Sequence, residues 1–146
     1  FQSIGVNYYT LNHVGPITIA GETSPERLRE ALAALEQEIT KVVEPGYFTT
    51  QELENTKQHR IVDAMFQLER ASGFAHQLGF WWAVTGLDYF YGYTDTMARQ
   101  TPEDLRSYAR KYIIGKPHVT GVLLAPEARR RLGLSEAELA APRGQP

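Results

Sequence analysis

The chain has 146 residues, a formal net charge of −2 at neutral pH and no cysteine. Its length fits a single domain, and a hydrophobic content of 42% is enough to form a core. The weak charge argues against a nucleic-acid partner, the lack of cysteine excludes disulfides and thiolate chemistry, and no apolar run is long enough to span a membrane.

The first predicted element is an antiparallel hairpin. Residues Ser3–Leu11 alternate loosely and contain good strand formers, and Asn12–Pro16 has the composition of a turn. The strand pattern resumes over Pro16–Ala20, where Ile17 and Ile19 lie on one face.

A helix is predicted next, with Ser24 as its N-cap and Pro25 at its first position. Apolar residues recur at spacings of three and four, which predicts one buried stripe made of Leu28, Leu32, Leu35, Ile39 and Val42. The sequence Glu44-Pro45-Gly46 ends this helix.

The second predicted helix begins after Thr49, which forms a capping-box pattern with Glu52. Its buried side is predicted to contain Leu53, Ile61, Met65, Leu68, Ala75 and Leu78. Gly73 and Gly79 can bend or break a helix, so the span to Phe80 is read either as one helix or as two.

Aromatic residues are dense between Phe80 and Tyr93, where a short helix is predicted over Leu87–Phe90. Two interpretations are open for this stretch. It fills the core at a corner between helices, which is the favoured reading, or it forms an interface with a partner. The interface candidates are Trp81, Trp82, Tyr89 and Tyr91.

The clearest element begins at Thr101, a predicted N-cap that Pro102 follows at the first helical position. The helix places on one face Leu105, Tyr108, Ala109 and Tyr112. It stops at Gly115 and Pro117, and the apolar run His118–Ala125 then predicts a strand inside a sheet.

Two short helices, Glu127–Leu132 and Ser135–Ala140, and a disordered tail over 141–146 complete the prediction. The order of elements predicts an α+β fold, a mainly antiparallel sheet with helices packed on one face. We expect a single domain over residues 1–127 and a partly disordered C-terminal extension over 128–146.

Residue types suited to catalysis are dispersed in this sequence. The four histidines, His13, His59, His76 and His118, do not have the spacing of a metal site. There is no Gly-x-Ser-x-Gly elbow and no glycine-rich phosphate loop. The sequence therefore predicts no catalytic residue and no metal ligand.

Three blocks resemble the pitrilysin/insulinase-type metallopeptidases, in the order in which that family has them. They are residues 2–32, a block around Lys57, and residues 101–126. The middle block matches the pattern Gly-x-Thr-x-x-Glu-Leu-x-x-x-Lys, with one additional residue, at Gly46, Thr49, Glu52, Leu53 and Lys57. The resemblance implies a half-domain of the mitochondrial-processing-peptidase/insulinase type.

The family's zinc motif, His-x-x-Glu-His, does not occur in this sequence. The resemblance therefore implies the later part of a non-catalytic C-terminal half, with no cofactor and no activity of its own. Such a half forms a wall of a peptide-binding chamber and pairs with a homologous zinc-bearing half, in the same polypeptide or in a partner subunit. Zinc is expected in that half, polypeptides are the expected substrates, and the parent protein is expected to be a zinc metalloendopeptidase.

One alternative is a structural or interaction protein of the same family with no peptidase activity. The resemblance fits a location in the bacterial periplasm or cytoplasm, the periplasm being slightly favoured. The first strand, Ser3–Leu11, is expected to keep an unpaired edge, and exposed edges recruit other chains. A homodimer is therefore a further expectation.

Overall fold

The computed structural model describes residues 1–140 as a mostly helical α+β fold. Its elements are β1 (Ser3–Tyr8), β2 (Ile17–Glu22), a 3₁₀ turn (Pro25–Arg27), α1 (Leu28–Lys41), α2 (Thr50–Leu68), α3 (Ala71–Val84), α4 (Leu87–Ala98), α5 (Pro102–Tyr112), α6 (Pro126–Leu132) and α7 (Glu136–Ala140). Within these residues the sheet has two strands. The α+β class is compatible with this structure, whereas the predicted mainly antiparallel sheet with helices on one face is not confirmed. The predicted tail over 141–146 lies outside the described residues.

The hairpin is confirmed. Strands β1 and β2 pair antiparallel, from Ser3 opposite Glu22 to Tyr8 opposite Ile17. The connection closes where the Tyr9 amide donates to the Pro16 carbonyl at 3.1 Å. A Cβ atom on Gly15 would overlap the Tyr9 carbonyl, so this turn needs glycine at that position.

Helix α1 begins later than predicted. A 3₁₀ turn precedes it. Ser24 is the N-cap residue of that turn and Pro25 its first residue, as predicted, but the Ser24 side chain makes no capping hydrogen bond. Leu28 and Ala31 are buried, whereas the other residues of the predicted stripe are half-buried: Leu32, Leu35, Ile39 and Val42. Gly46 has a positive φ of 84° in the turn after α1.

The long helical span is two helices, with the break at Glu69–Arg70 rather than at a glycine. Gly73 and Gly79 both lie inside α3. A Cβ on Gly73 would come within 2.5 Å of the Gln67 carbonyl oxygen, so this glycine lets the start of α3 approach the end of α2 closely. The predicted burial of this span is partly wrong, since the exposed side chains include Met65, Leu68 and Ala75.

Capping is confirmed at α2 and α5. The Thr49 hydroxyl accepts from the Glu52 amide, and the Glu52 carboxylate accepts from the Thr49 amide at 3.1 Å. Asp104 makes the same reciprocal arrangement with Thr101, at 2.8 Å from the Thr101 amide to Oδ2. Both caps involve residues three apart, which is why the sequence alone predicts them.

The last predicted strand is wrong in this structure. Residues 117–125, hereafter the extended segment, belong to no strand or helix within the described chain. Val119 and Leu123 are 97% and 99% exposed. The sequence prediction assumed a neighbouring strand that the described residues do not place there.

Helices α6 and α7 pack back onto the start of the helical part. Ala128 is buried, and the 3₁₀ turn is the packing partner of α6. Arg29 of α1 donates to the Leu132 carbonyl and to the Glu138 carboxylate, each at 3.0 Å from Nη2. Arg131 pairs with Glu26. The domain boundary after residue 127 stays a prediction, and residues 128–138 contact residues 26–29 across it.

Candidate functional site

The most distinctive group of side chains is an aromatic cluster between α3 and α4. The Trp81 ring lies 5.1 Å from Tyr89 and 6.3 Å from Tyr93, measured between ring centroids. Phe80 meets Trp81 edge-on at 5.2 Å. The cluster forms because Gly86, with a φ of 98°, turns the chain so that α4 follows α3 closely.

Trp81 is held by polar contacts as well as by rings. Its Nε1 donates to the Gln77 Oε1 at 3.1 Å, one helical turn earlier. The Gln77 Nε2 in turn donates to the Gln67 Oε1 at 3.3 Å, which links α3 to the end of α2. A half-buried tryptophan whose N–H has a partner is typical of a packing position, so Trp81 fixes how three helices meet.

The four interface candidates divide into two pairs. The structure brings Trp81 and Tyr89 together in the cluster, whereas the side chains of Trp82 and Tyr91 are 70% and 65% exposed. Neighbouring helix positions differ by about 100° around the axis, which separates Trp82 from Trp81. We call Trp82 and Tyr91 the outward aromatics. The interface role stays a prediction. Trp82 and Tyr91 are its most exposed candidates, and Tyr89 is 45% exposed.

Tyrosines from three elements approach one another beside the cluster. Burial raises the pKa of Tyr89, with smaller contributions from Tyr93 and Tyr8. Burial likewise raises the pKa of Tyr108, with Tyr8 and Tyr112 adding to it. Tyr8 of β1 thus contributes to the raised pKa of one tyrosine on α4 and of another on α5.

Lys57 is a residue whose role the sequence did not reveal. It is the one buried charged residue in the described part of the chain, and its Nζ donates to the Ala98 carbonyl at 2.9 Å and to Glu54 Oε1 at 2.6 Å. Ala98 ends α4, where carbonyls lack helical partners and carry negative partial charge. Lys57 lies in one of the blocks that resemble the metallopeptidase family, but that block did not predict its contact with Ala98, 41 residues away.

Within residues 1–140, no three His, Asp or Glu side chains come together as a group that could hold a metal ion. The helices of this part include none with both the length and the apolar content to cross a membrane. Three comparisons, with protein-family models, with curated proteins and with solved structures, found no match to this chain.

Apolar exposure is the dominant property of the surface. The chain exposes 11,197 Å², whereas a compact monomer of 16.5 kDa exposes roughly 7,600 Å². Among the described side chains no large one is fully buried. The excess contains strand residues, the outward aromatics and the extended segment, and large apolar patches of this kind mark interaction sites.

Proposed function

We propose that this chain is a non-catalytic binding module that pairs with a homologous zinc-bearing half and forms a wall of its peptide-binding chamber. The observation that carries the proposal is the excess of exposed surface, roughly 3,600 Å² above a compact monomer. Obligate interfaces bury roughly 2,000–5,000 Å² in total, about half of it from each partner. The excess on this chain is larger than one partner contributes to such an interface.

The outward aromatics are the anchors that we assign to this interface. Tryptophan and tyrosine are enriched among the residues that dominate binding energy, because each buries a large rigid area and keeps one polar group for a hydrogen bond. Trp82 and Tyr91 are both mostly exposed, so most of the surface of each is open to a partner. Trp81, by contrast, serves the packing beneath them.

The resemblance supplies the identity of the partner. The family-like blocks contain no His-x-x-Glu-His, so the zinc and the peptide-bond chemistry are assigned to the other half. This chain contributes surface: it closes the chamber, excludes water and contacts the extended polypeptide. The substrate class is therefore unfolded or extended peptide, and the module has no activity alone.

The test is to mix the purified chain with a polypeptide that bears the His-x-x-Glu-His half, encoded in the same or a neighbouring reading frame. Complex formation is followed by size-exclusion chromatography with light scattering, and activity by cleavage of an unstructured peptide. Complex formation together with a gain in cleavage is the expected result. The doubly substituted variant Trp82→Ala/Tyr91→Ala should bind more than about 10-fold more weakly.

Gln58→Ala is the matched control, because Gln58 is an exposed residue of α2 outside the cluster. It should bind like the unchanged chain. A complex without any gain in cleavage would favour the structural or interaction protein instead. The proposal fails if no complex forms with the zinc-bearing half, or if the double variant and the control bind equally well.

A further inference from the structure

The extended segment has an unusual backbone. None of the backbone hydrogen bonds described for residues 1–140 uses an amide or carbonyl of residues 118–124. Apolar residues dominate this stretch, and two of them, Val119 and Leu123, are almost fully exposed. Water satisfies these backbone groups, but it leaves the apolar side chains in an unfavourable environment.

One side of the extended segment is already anchored. Val122 and Leu124 are half-buried in a cleft of about 320 Å³ whose other apolar walls are Leu134 and Leu139. Val119 and Leu123 are by contrast almost fully exposed, although Leu123 also borders the cleft. The segment is thus partly covered at Val122 and Leu124, whereas Val119 and Leu123 and its backbone groups are open to a partner.

Strand β1 also has an edge with unpaired backbone groups. All six of its residues are exposed, and with β2 as its one strand neighbour in the described chain its far edge is open. Because Tyr9 and Pro16 form a hydrogen-bonded pair, the antiparallel alternation turns the amides of Ile4, Val6 and Tyr8 towards that open edge. The side chains of the same three residues form an apolar row.

Neither β1 nor the part of the extended segment after Pro117 carries the features that block pairing between chains. Natural edge strands use charged side chains, proline or bulges against this. Residues 3–8 and 118–125 contain no Lys, Arg, Asp, Glu or Pro. Neither a charged side chain nor a proline ring therefore opposes the pairing of these two stretches. Each stretch has six to eight residues, a typical strand length.

We propose that the extended segment of one copy adds as a strand to the open edge of β1 in a second copy, and that the reverse exchange closes a two-fold dimer. Each copy carries one donor strand and one acceptor edge, so a two-fold axis satisfies both at once. The exposed excess of roughly 3,600 Å² per chain exceeds what a standard dimer interface requires. This inference does not rest on the proposed function.

The test uses the full chain without any zinc-bearing partner. Light scattering measures its mass, and amide hydrogen exchange measures protection. We expect a dimer, with exchange slowed more than about 10-fold at residues 118–124 and at Ile4, Val6 and Tyr8 relative to a diluted monomeric sample. Leu123→Lys and Val6→Lys should each give a monomer with unchanged far-UV circular dichroism, because both side chains are exposed in the single chain.

A mixing experiment separates strand exchange from association through a general apolar patch. Leu123→Lys spoils the donor and Val6→Lys spoils the acceptor, so an equal mixture contains one intact donor–acceptor pair per mixed dimer. The mixture should therefore recover dimer that neither variant forms alone. Gln58→Lys, at an exposed position of α2, is the charge control and should remain dimeric.

Three results would overturn the proposal: a stable monomer, a dimer in which residues 118–124 exchange freely, and a dimer that persists with Leu123→Lys. A monomer with residues 118–124 protected would mean that the segment pairs within its own chain, which also overturns it. None of these results bears on complex formation with a zinc-bearing half, which is measured separately.

Discussion

Replacing Lys57 with methionine tests whether its ammonium group joins α2 to the end of α4. Methionine keeps most of the length and apolar stem of the side chain and removes the charge. The change leaves the Ala98 carbonyl without the donor that now lies 2.9 Å away, at a side chain only 7% exposed. The cluster around Trp81 is untouched, so the effect reports on this contact.

The magnitude follows from the two bonds that the Lys57 ammonium makes. A hydrogen bond from a charged donor contributes about 1.5–3 kcal/mol when its loss leaves a partner unsatisfied. The ion pair with Glu54 contributes about 0–1 kcal/mol, because the Glu54 side chain is half exposed and screened by solvent. Removing a desolvated charge offsets part of the loss. We expect Lys57→Met to lower the free energy of unfolding by about 2 kcal/mol.

Urea unfolding followed by far-UV circular dichroism measures this difference. The single variant Glu54→Gln and the double variant Lys57→Met/Glu54→Gln complete a double-mutant cycle. Glu54→Gln should cost less than about 1 kcal/mol. The reasoning is refuted if Lys57→Met unfolds within about 0.5 kcal/mol of the unchanged chain. It is equally refuted if Glu54→Gln costs as much as Lys57→Met, since the carbonyl contact would then contribute nothing.

Three further outcomes are expected. Thr101→Ala should lower stability by about 1 kcal/mol in thermal melts, because it removes the N-cap of α5. Hydrogen bonds from Thr49 and Thr101 lower the pKa of Glu52 and Asp104 below their ordinary values of 4.5 and 3.8. The two ionised carboxylates therefore stabilise the fold at pH values above 4.5 and 3.8, and this contribution is lost as the pH falls through each lowered pKa. Thermal melts recorded over a series of acidic pH values will detect the loss. Leu28→Ala, at a buried site, should cost about 2–5 kcal/mol in denaturant melts, whereas Leu68→Ala, at an exposed one, should cost clearly less.

Local features of this protein follow from the sequence by itself. The caps at Thr49 and Thr101 join residues three apart, and the hairpin closes across a short turn rich in Asn, Gly and Pro. Interactions between near neighbours in the chain depend little on the rest of the fold. The helices after these caps were therefore predictable.

Only the tertiary structure decided which faces are covered. Helical periodicity placed Met65 and Leu68 on an apolar side, but nothing in the described chain covers that side fully. The sequence treated Trp81 and Trp82 alike, yet Trp81 is half-buried beside Tyr89 and Trp82 is exposed. Lys57 and Ala98 meet across 41 residues. Burial, sheet pairing and long-range contacts depend on where a second part of the chain packs. A local pattern of residues does not contain that information.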